Sequence, residues 1–258
     1  MILRDRIQHR GALLRGAPRA VLLAAALAVA VSATPAIAAV AEDLARCQDP
    51  RGKPDDRLSA CTRVIDDAKG DPDHRVEALL NRGMMRESTG ETQEALKDYG
   101  AAAELDPENE LAYFNRGNVY ESLGQYELAI RDYDKAITLN ALDADFFNNR
   151  GRARDSFGET EKAMADFTAA IQIDPDHASA RINRGLSLVE IGEHAKAVAD
   201  FDRAIALGVE DAELWAARGV AQEALGNAAA ARLDFNKAIA TQPGHERALE
   251  GLARLQAK

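Results

Sequence analysis

The sequence predicts an all-α protein, a solenoid of stacked antiparallel helix pairs, and three observations lead to this prediction. An Arg-Gly pair recurs five times at one constant interval, from Gly83 to Gly219. Between these pairs the apolar residues keep helical spacing, as Ala129, Tyr133 and Ala136 do. A second glycine interrupts each unit near its middle and marks a turn between two short helices. A fixed period of this kind is typical of repeat architectures.

Each unit carries the same small and aromatic residues in the same order. The first glycine and a later alanine are expected where the two helices cross, because a larger side chain would hold their backbones apart. Proline follows the second helix at Pro107, Pro175 and Pro243, where it can end one helix and begin the next unit. The register is marked by the first glycines (Gly83, Gly117, Gly151, Gly185, Gly219), the second glycines (Gly90, Gly124, Gly158, Gly192, Gly226) and the aromatic residues (Tyr99, Tyr133, Phe167, Phe201, Phe235).

This order of glycine, alanine, aromatic residue, alanine and proline resembles the tetratricopeptide repeat. The resemblance implies a right-handed superhelical solenoid of antiparallel helix pairs. It departs from the pattern at Ala141 and Val209, which replace the terminal proline, and we expect Gly208 to end the second of these helices. The five units are 76–109, 110–143, 144–177, 178–211 and 212–245.

Both ends of the solenoid are predicted to be capped. Residues 39–75 form a degenerate capping repeat, whose first helix is expected to be short because Pro50 and Pro54 interrupt it. Residues 246–258 form a capping helix that places Leu249, Leu252 and Leu255 on one side. Terminal repeats of solenoids need such caps.

The segment 1–38 has the order of a secretory signal peptide. Arginines up to Arg19 precede an uninterrupted apolar run from Ala20 to Val31, and small residues follow it. We expect cleavage after Ala38, because Ala36 and Ala38 form an A-x-A pattern. The apolar run is short for a permanent anchor across the roughly 30 Å hydrocarbon layer, which favours cleavage. The alternative is an uncleaved signal that anchors the chain. The sequence therefore predicts an exported, periplasmic protein.

The chain without its signal peptide is strongly acidic. It carries 27 basic and 41 acidic residues, a formal net charge of −14. Such a surface repels phosphate backbones and anionic headgroups, which argues against nucleic acid or a membrane surface as partner.

Cys47 and Cys61 are the two cysteines of the chain. In an oxidising compartment we expect them to form a disulfide that stabilises the folded state by about 3 kcal/mol. The alternatives are two free thiols or metal ligands, and the lack of a CxxC spacing and of a nearby histidine disfavours the second.

An arginine precedes the first glycine of every unit, and an aspartate follows it at a constant interval, just before the aromatic residue. We interpret them as structural ion pairs, because a partly buried guanidinium needs an acceptor. The alternative is a ladder of arginines for an anionic ligand. The pairs are Arg82 with Asp98, Arg116 with Asp132, Arg150 with Asp166, Arg184 with Asp200 and Arg218 with Asp234.

The resemblance also implies that the first helix of each unit lines the concave face, with the third residue before the glycine and the first and fourth residues after it pointing inward. Apolar residues lie next to acidic ones there, which suits a peptide or helix with hydrophobic anchors and some basic character. Asparagines two places before the glycine could hold a ligand's backbone or bond within the solenoid. The predicted partner-binding residues are Leu80, Met84, Phe114, Asn115, Asn118, Asn148, Asn149, Arg152, Ile182, Asn183, Leu186 and Val220.

No motif predicts catalysis, a cofactor or a metal site. The sequence has no HExxH, GxSxG or phosphate-cradling loop, and its histidines are scattered. We therefore expect a non-enzymatic interaction scaffold of the cell envelope that binds a peptide or helix of a partner protein. The alternative is a self-associating structural or assembly factor, free or membrane-tethered. The fold class does not identify the partner.

Overall fold

The computed structural model describes residues 35–67 and 70–257. These residues form thirteen α-helices and no strand, which confirms the predicted all-α class. None of these helices has the length and apolarity needed to cross a membrane. The helices are α1 (Pro35–Gln48), α2 (Pro54–Asp66), α3 (Pro72–Ser88), α4 (Thr92–Leu105), α5 (Glu110–Ser122), α6 (Tyr126–Leu139), α7 (Ala144–Ser156), α8 (Thr160–Ile173), α9 (Ala178–Glu190), α10 (His194–Ala206), α11 (Ala212–Ala224), α12 (Ala228–Thr241) and α13 (Glu246–Gln256).

The N-terminal helix differs from the prediction. Up to residue 34 the predicted signal peptide lies outside the described residues, and α1 continues past the expected cleavage point after Ala38. Helix α1 has 14 residues, of which 35–38 precede the predicted capping repeat, and it ends before Pro50. Pro54 instead begins α2, where its missing N–H leaves no helical hydrogen bond unmade.

A disulfide joins the first two helices. Cys47 near the end of α1 is bonded to Cys61 in α2, and both residues are fully buried. Leu44, Ala60 and Val64 pack around the bond in a small hydrophobic cluster. The terminal helix pair therefore has a covalent link and a small core, to which α3 contributes Ala78.

The helices stack in chain order, each against its neighbours in sequence. The odd-numbered helices also contact one another from α1 to α13, whereas within the described ranges no even-numbered helix contacts another. Stacked pairs that touch along one row and separate along the other must curve toward the touching row. The odd-numbered helices therefore form the inner row of the solenoid between residues 35 and 257.

The core contains a fully buried aromatic ring at the same position of every unit. Each ring lies over the first glycine of its unit, and a Cβ atom on Gly117 would lie only 2.8 Å from Cε1 of Tyr133. The first glycine is therefore needed for two reasons, because a side chain there would collide with the ring and would also hold the two crossing helices apart. The rings, none more than 1% exposed, belong to Tyr99, Tyr133, Phe167, Phe201 and Phe235.

The second glycine allows the turn within each pair. Gly90 has a φ of +81°, a conformation that costs other residues energy. The N–H of Glu91 then donates to the carbonyl of Arg86 at 2.8 Å, which is the Schellman closure of a helix. Gly208, with a φ of +88°, follows the end of α10 as predicted.

The C-terminal helix α13 covers the last unit with Ala248, Gly251 and Leu255. Leu249, predicted to lie on the same side as Leu255, is 47% exposed. Residues six apart lie about 120° from each other around an α-helix. A face that buries Leu255 therefore leaves Leu249 in solvent.

Candidate functional site

The arginine before each glycine contacts the aspartate of the second helix in all five units. Nε and Nη2 of Arg116 each donate to Asp132 at 2.7 Å. The aspartates are at most 7% exposed, so these arginines are engaged inside the solenoid and form no open ladder for an anion. The same two-bond geometry joins Arg82 with Asp98, Arg150 with Asp166, Arg184 with Asp200 and Arg218 with Asp234.

Four of these arginines also contact the preceding unit, which sequence reasoning missed. Arg82 donates to Thr62 of α2 at 3.1 Å, and the other three share one geometry. The acceptor lies two places after the preceding unit's aspartate, at a constant interval before the arginine, so the signal was present in the repeat. Arg116 faces Gly100 at this position, and a Cβ atom there would lie 3.8 Å from its Nη1. The bonds run from Arg150 to Asp134 (2.6 Å), from Arg184 to Thr168 (3.1 Å) and from Arg218 to Asp202 (2.5 Å).

The predicted partner-binding residues fall into two groups. Leu80, Phe114 and Asn148 are 9%, 8% and 4% exposed. The Phe114 ring lies 4.7 Å from that of Phe146 in α7, so this position packs between units. The prediction that these three residues contact a partner is therefore corrected: they are buried and support the inner row from within. The half-buried or exposed residues are Met84, Asn115, Asn118, Asn149, Arg152, Ile182, Asn183, Leu186 and Val220.

Four asparagines from three units form one hydrogen-bonded chain along the inner row. Asn183 donates to Asn148 at 3.0 Å, and Asn148 donates to Asn149 at 3.1 Å. Asn149 in turn donates to Asn118 at 2.9 Å. The amides therefore join α9, α7 and α5, which corresponds to the alternative of bonding within the solenoid. Asn115 lies outside this chain.

A buried carboxylate lies at the end of the asparagine chain. The hydroxyl of Tyr133 lies 2.8 Å from Glu121 Oε2 and 2.7 Å from Asn118 Oδ1. Arg152 approaches the other carboxylate oxygen at 2.7 Å. Burial raises the pKa of the Glu121 carboxyl, and the charge of Arg152 and the hydroxyl of Tyr133 oppose this shift.

Tyrosine and glutamate occur together in the first two units. The hydroxyl of Tyr99 donates to Glu87 at 3.1 Å, as that of Tyr133 does to Glu121. Units whose core ring is phenylalanine have Asp155, Val189 or Glu223 at the carboxylate position. A tyrosine at the core aromatic position is thus a sequence signal for an inner-row glutamate that accepts a hydrogen bond from its hydroxyl. The sequence analysis missed this signal.

The inner row becomes apolar toward the C-terminus. Ile182, Leu186, Val189 and Val220 are half-buried and pack against the hydrophobic cluster around Trp215. The surface of α5 and α7 is polar by contrast, because it carries the asparagine chain. Over the described ranges, no group of three or more metal-ligating side chains is arranged to hold a metal ion.

Models of the tetratricopeptide repeat match residues 111–141, 144–177 and 182–257, and a TPR repeat model matches residues 87–124. The chain belongs to the tetratricopeptide repeat family. No curated protein matches this tetratricopeptide protein in sequence.

Solved structures share the tetratricopeptide fold of this chain. YrrB, described as a TPR protein with an unusual peptide-binding site, is 26% identical with a TM-score of 0.63, over 76% of this chain and 99% of YrrB. MamA is 24% identical with a TM-score of 0.57, over 64% of this chain and 90% of MamA. PilF of Pseudomonas aeruginosa is 17% identical with a TM-score of 0.72, over 84% of this chain and 96% of PilF.

The matches to MamA and PilF show the fold alone. Tetratricopeptide solenoids are protein-interaction scaffolds and are generally not enzymes. This tetratricopeptide protein therefore belongs to the class of proteins whose partners are other proteins.

Proposed function

We propose that this chain is a non-enzymatic scaffold of the cell envelope that binds a peptide or helix of a partner protein on its inner row of helices. One contrast carries the proposal. The glycine, aromatic and ion-pair positions repeat in every unit, whereas the inner-row positions change from Met84 and Glu87 to Leu186 and Val189. Positions that vary on a constant scaffold are suited to recognition of one particular partner.

The proposed mechanism is preorganisation. The ion pairs and the asparagine chain hold the inner-row helices at fixed positions, so the surface exists before a partner arrives. Binding then has no large ordering cost on the scaffold side. YrrB, the relative described with a peptide-binding site, supports a peptide as the bound partner.

The envelope location rests on two features of the N-terminal region. The predicted signal peptide would direct export, and the Cys47–Cys61 disulfide is of a kind that persists in oxidising compartments. Both features favour the periplasm as the place where the partner is met.

Self-association is a second candidate, favoured by a different surface. The residue before the second glycine is apolar and between 39% and 52% exposed in four successive units. These residues lie on one edge of the solenoid, at the turns within the pairs. Measurement of the molar mass in solution tests this candidate, since a monomer at all concentrations would exclude it. The residues are Leu123, Phe157, Ile191 and Leu225.

Site-specific photo-crosslinking in the native host tests the proposed function. A photoreactive residue at Asn118 or Val220, both half-buried on the inner row, should crosslink to the same partner protein. The control is Ala199, which is exposed on α10 of the outer row. Adducts of equal yield at all three positions, or none at the inner row, would contradict the proposal.

A further inference from the structure

Neighbouring units meet on the inner row at one recurring pair of positions. The fourth residue after the glycine of one unit lies beside a residue 31 positions later in the next unit. At two junctions this pair is an ion pair, Glu121 with Arg152 at 2.7 Å and Glu223 with Arg254 of α13 at 2.9 Å. These pairs show where a cation lies when it contacts an inner-row carboxylate.

Two other junctions have the carboxylate but not the cation. The residue at the facing position of the next unit is Asn118 for Glu87 and Leu186 for Asp155. Within residues 35–67 and 70–257, no lysine, arginine or histidine forms an ion pair with Glu87 or Asp155. Glu87 is exposed and Asp155 half-buried, so a side chain from another molecule can reach both.

The surroundings of Glu87 favour a bound cation. Although the residue as a whole is exposed, partial burial of its carboxyl raises the pKa of that group, and the hydrogen bond from Tyr99 opposes this shift only in part. A raised pKa means that the ionised form has lost more hydration than it has gained in contacts. A cation in the place that Arg152 takes beside Glu121 would stabilise that form.

The next junction toward the C-terminus is apolar on both sides. Val189 and Val220 occupy the two positions there, and both are half-buried against the C-terminal hydrophobic cluster. Along the inner row, the order is thus a carboxylate without a facing cation at Glu87, an internal ion pair, a second such carboxylate at Asp155 and an apolar junction.

We propose that the inner row binds an extended basic segment of another protein, with one basic side chain at Glu87, a second at Asp155 and an apolar side chain between Val189 and Val220. This inference rests on the proposed function and adds the chemistry of the bound segment. The formal net charge of −14 beyond residue 38 attracts such a segment from a distance.

The spacing of the junctions sets the spacing of the segment. First helices of neighbouring units lie about 10 Å apart, which puts the two carboxylates about 20 Å apart and the apolar junction about 10 Å further. An extended chain advances about 3.3 Å per residue, so the basic residues are about six positions apart and the apolar residue about three positions further. An extended chain can bend to follow the curved inner row, whereas a straight helix would lose contact with the row toward its ends.

Fluorescence anisotropy with synthetic peptides tests this inference on the purified protein. The probe is labelled Lys-Ser-Ser-Ser-Ser-Ser-Lys-Ser-Ser-Leu, and a second probe has the reversed order, since an extended segment can run along the row in either direction. The control peptide of each probe has glutamine for both lysines. One order of the probe should bind about 10-fold tighter than its glutamine control. Glu87→Gln and Asp155→Asn should each weaken binding about threefold, and together about 10-fold, since distant sites add.

The matched control variant is Glu161→Gln, which removes a carboxylate exposed on α8 of the outer row and should leave affinity unchanged. Equal affinity for lysine and glutamine peptides, no saturable binding of either order, or an equal loss in Glu161→Gln would overturn the inference. If photo-crosslinking still yields one partner at the inner row, the proposed function stands and only the basic segment fails. If crosslinking fails as well, both fail.

Discussion

Arg116 and Asp132 form the ion pair with the fewest additional contacts. Both guanidinium bonds are 2.7 Å long, and the position from which the preceding unit could add an acceptor is Gly100. Arg150, by contrast, also bonds to Asp134 in the preceding unit. A substitution at Asp132 therefore measures the pair itself.

We predict that Asp132→Ala lowers the free energy of unfolding by about 3 kcal/mol, because it leaves a half-buried guanidinium without its acceptor. Adding Arg116→Leu should recover a large part of this loss, since the unpaired charge is then removed as well. Urea denaturation of the wild type, both single variants and the double variant provides the measurement. Additive losses from the two single changes would contradict a structural ion pair.

The burial of Glu121 predicts a dependence of stability on pH. Its pKa is raised in the folded state, so between its ordinary value and that raised value the folded chain binds more protons than the unfolded chain. The contribution of Glu121 to the free energy of unfolding is therefore largest at low pH. It falls as the pH rises from the ordinary pKa of a glutamate to the raised pKa of the folded state. The wild type should gain stability relative to Glu121→Gln on going from pH 7 to pH 4. A difference in unfolding free energy that is constant or opposite in sign across that range would contradict the prediction.

For single residues, the sequence predicts which positions recur in every unit better than it predicts which side chains contact each other. The repeat register identifies Arg116 and Asp132 as a recurring pair because both lie within one unit. It could not show that Asn149 bonds to Asn118, or that Phe114 is buried, because these contacts depend on how one unit stacks on the next. Periodicity marks which side of a helix faces inward, but it leaves side-chain rotamers and contacts between units open.

At the scale of helices, α4 differs from α6, α8 and α10 by one missing contact. In α6, α8 and α10 the residue two places after the aspartate accepts a hydrogen bond from the arginine of the following unit. In α4 this position is Gly100, with space toward Arg116. The junction between the first two units therefore lacks a bond that the next three have.

We predict that Gly100→Asp stabilises the protein by supplying this bond. Any residue with a Cβ atom should gain about 0.5 kcal/mol or more over glycine inside a helix. The charged acceptor should add about 1 kcal/mol relative to Gly100→Asn, which has the same size and a similar helix propensity. Thermal and urea unfolding of both variants provide the measurement, and an aspartate variant no more stable than the asparagine variant would argue against the missing bond.

The first and last helices show where extrapolation of the repeat fails. The unit predicted from the register began near residue 39, but α1 begins at Pro35 and ends at Gln48. The repeat register cannot be extrapolated there, because α1 and α2 contain no glycine under an aromatic ring. Their Arg–Asp pair also runs the other way, from Arg63 of the second helix to Asp43 of the first. The five central units were predictable because each packs between units that carry similar residues at the contact positions.

At the scale of the whole molecule, the helices of residues 35–67 and 70–257 contact only near neighbours along the chain. Helix α3 contacts α1, α2, α4 and α5, and α11 contacts α9, α10, α12 and α13. Stability in such an array is close to a sum of units and their junctions. Damage at one end should therefore remain local, and the disulfide between Cys47 and Cys61 is the place to test this.

We predict that replacing both cysteines by alanine opens α1 and α2 without opening α9 to α13. The bond closes a loop with a sequence separation of 14 and is worth about 3 kcal/mol on the chain-entropy estimate. This loss falls on a terminal pair with only a small core around Leu44 and Val64. Hydrogen exchange followed by mass spectrometry should show faster exchange in α1 and α2, a smaller effect in α3 and unchanged protection around Phe201 and Phe235. A uniform loss of protection along the chain would mean that the solenoid unfolds as one cooperative unit, and the neighbour-only description would then be wrong.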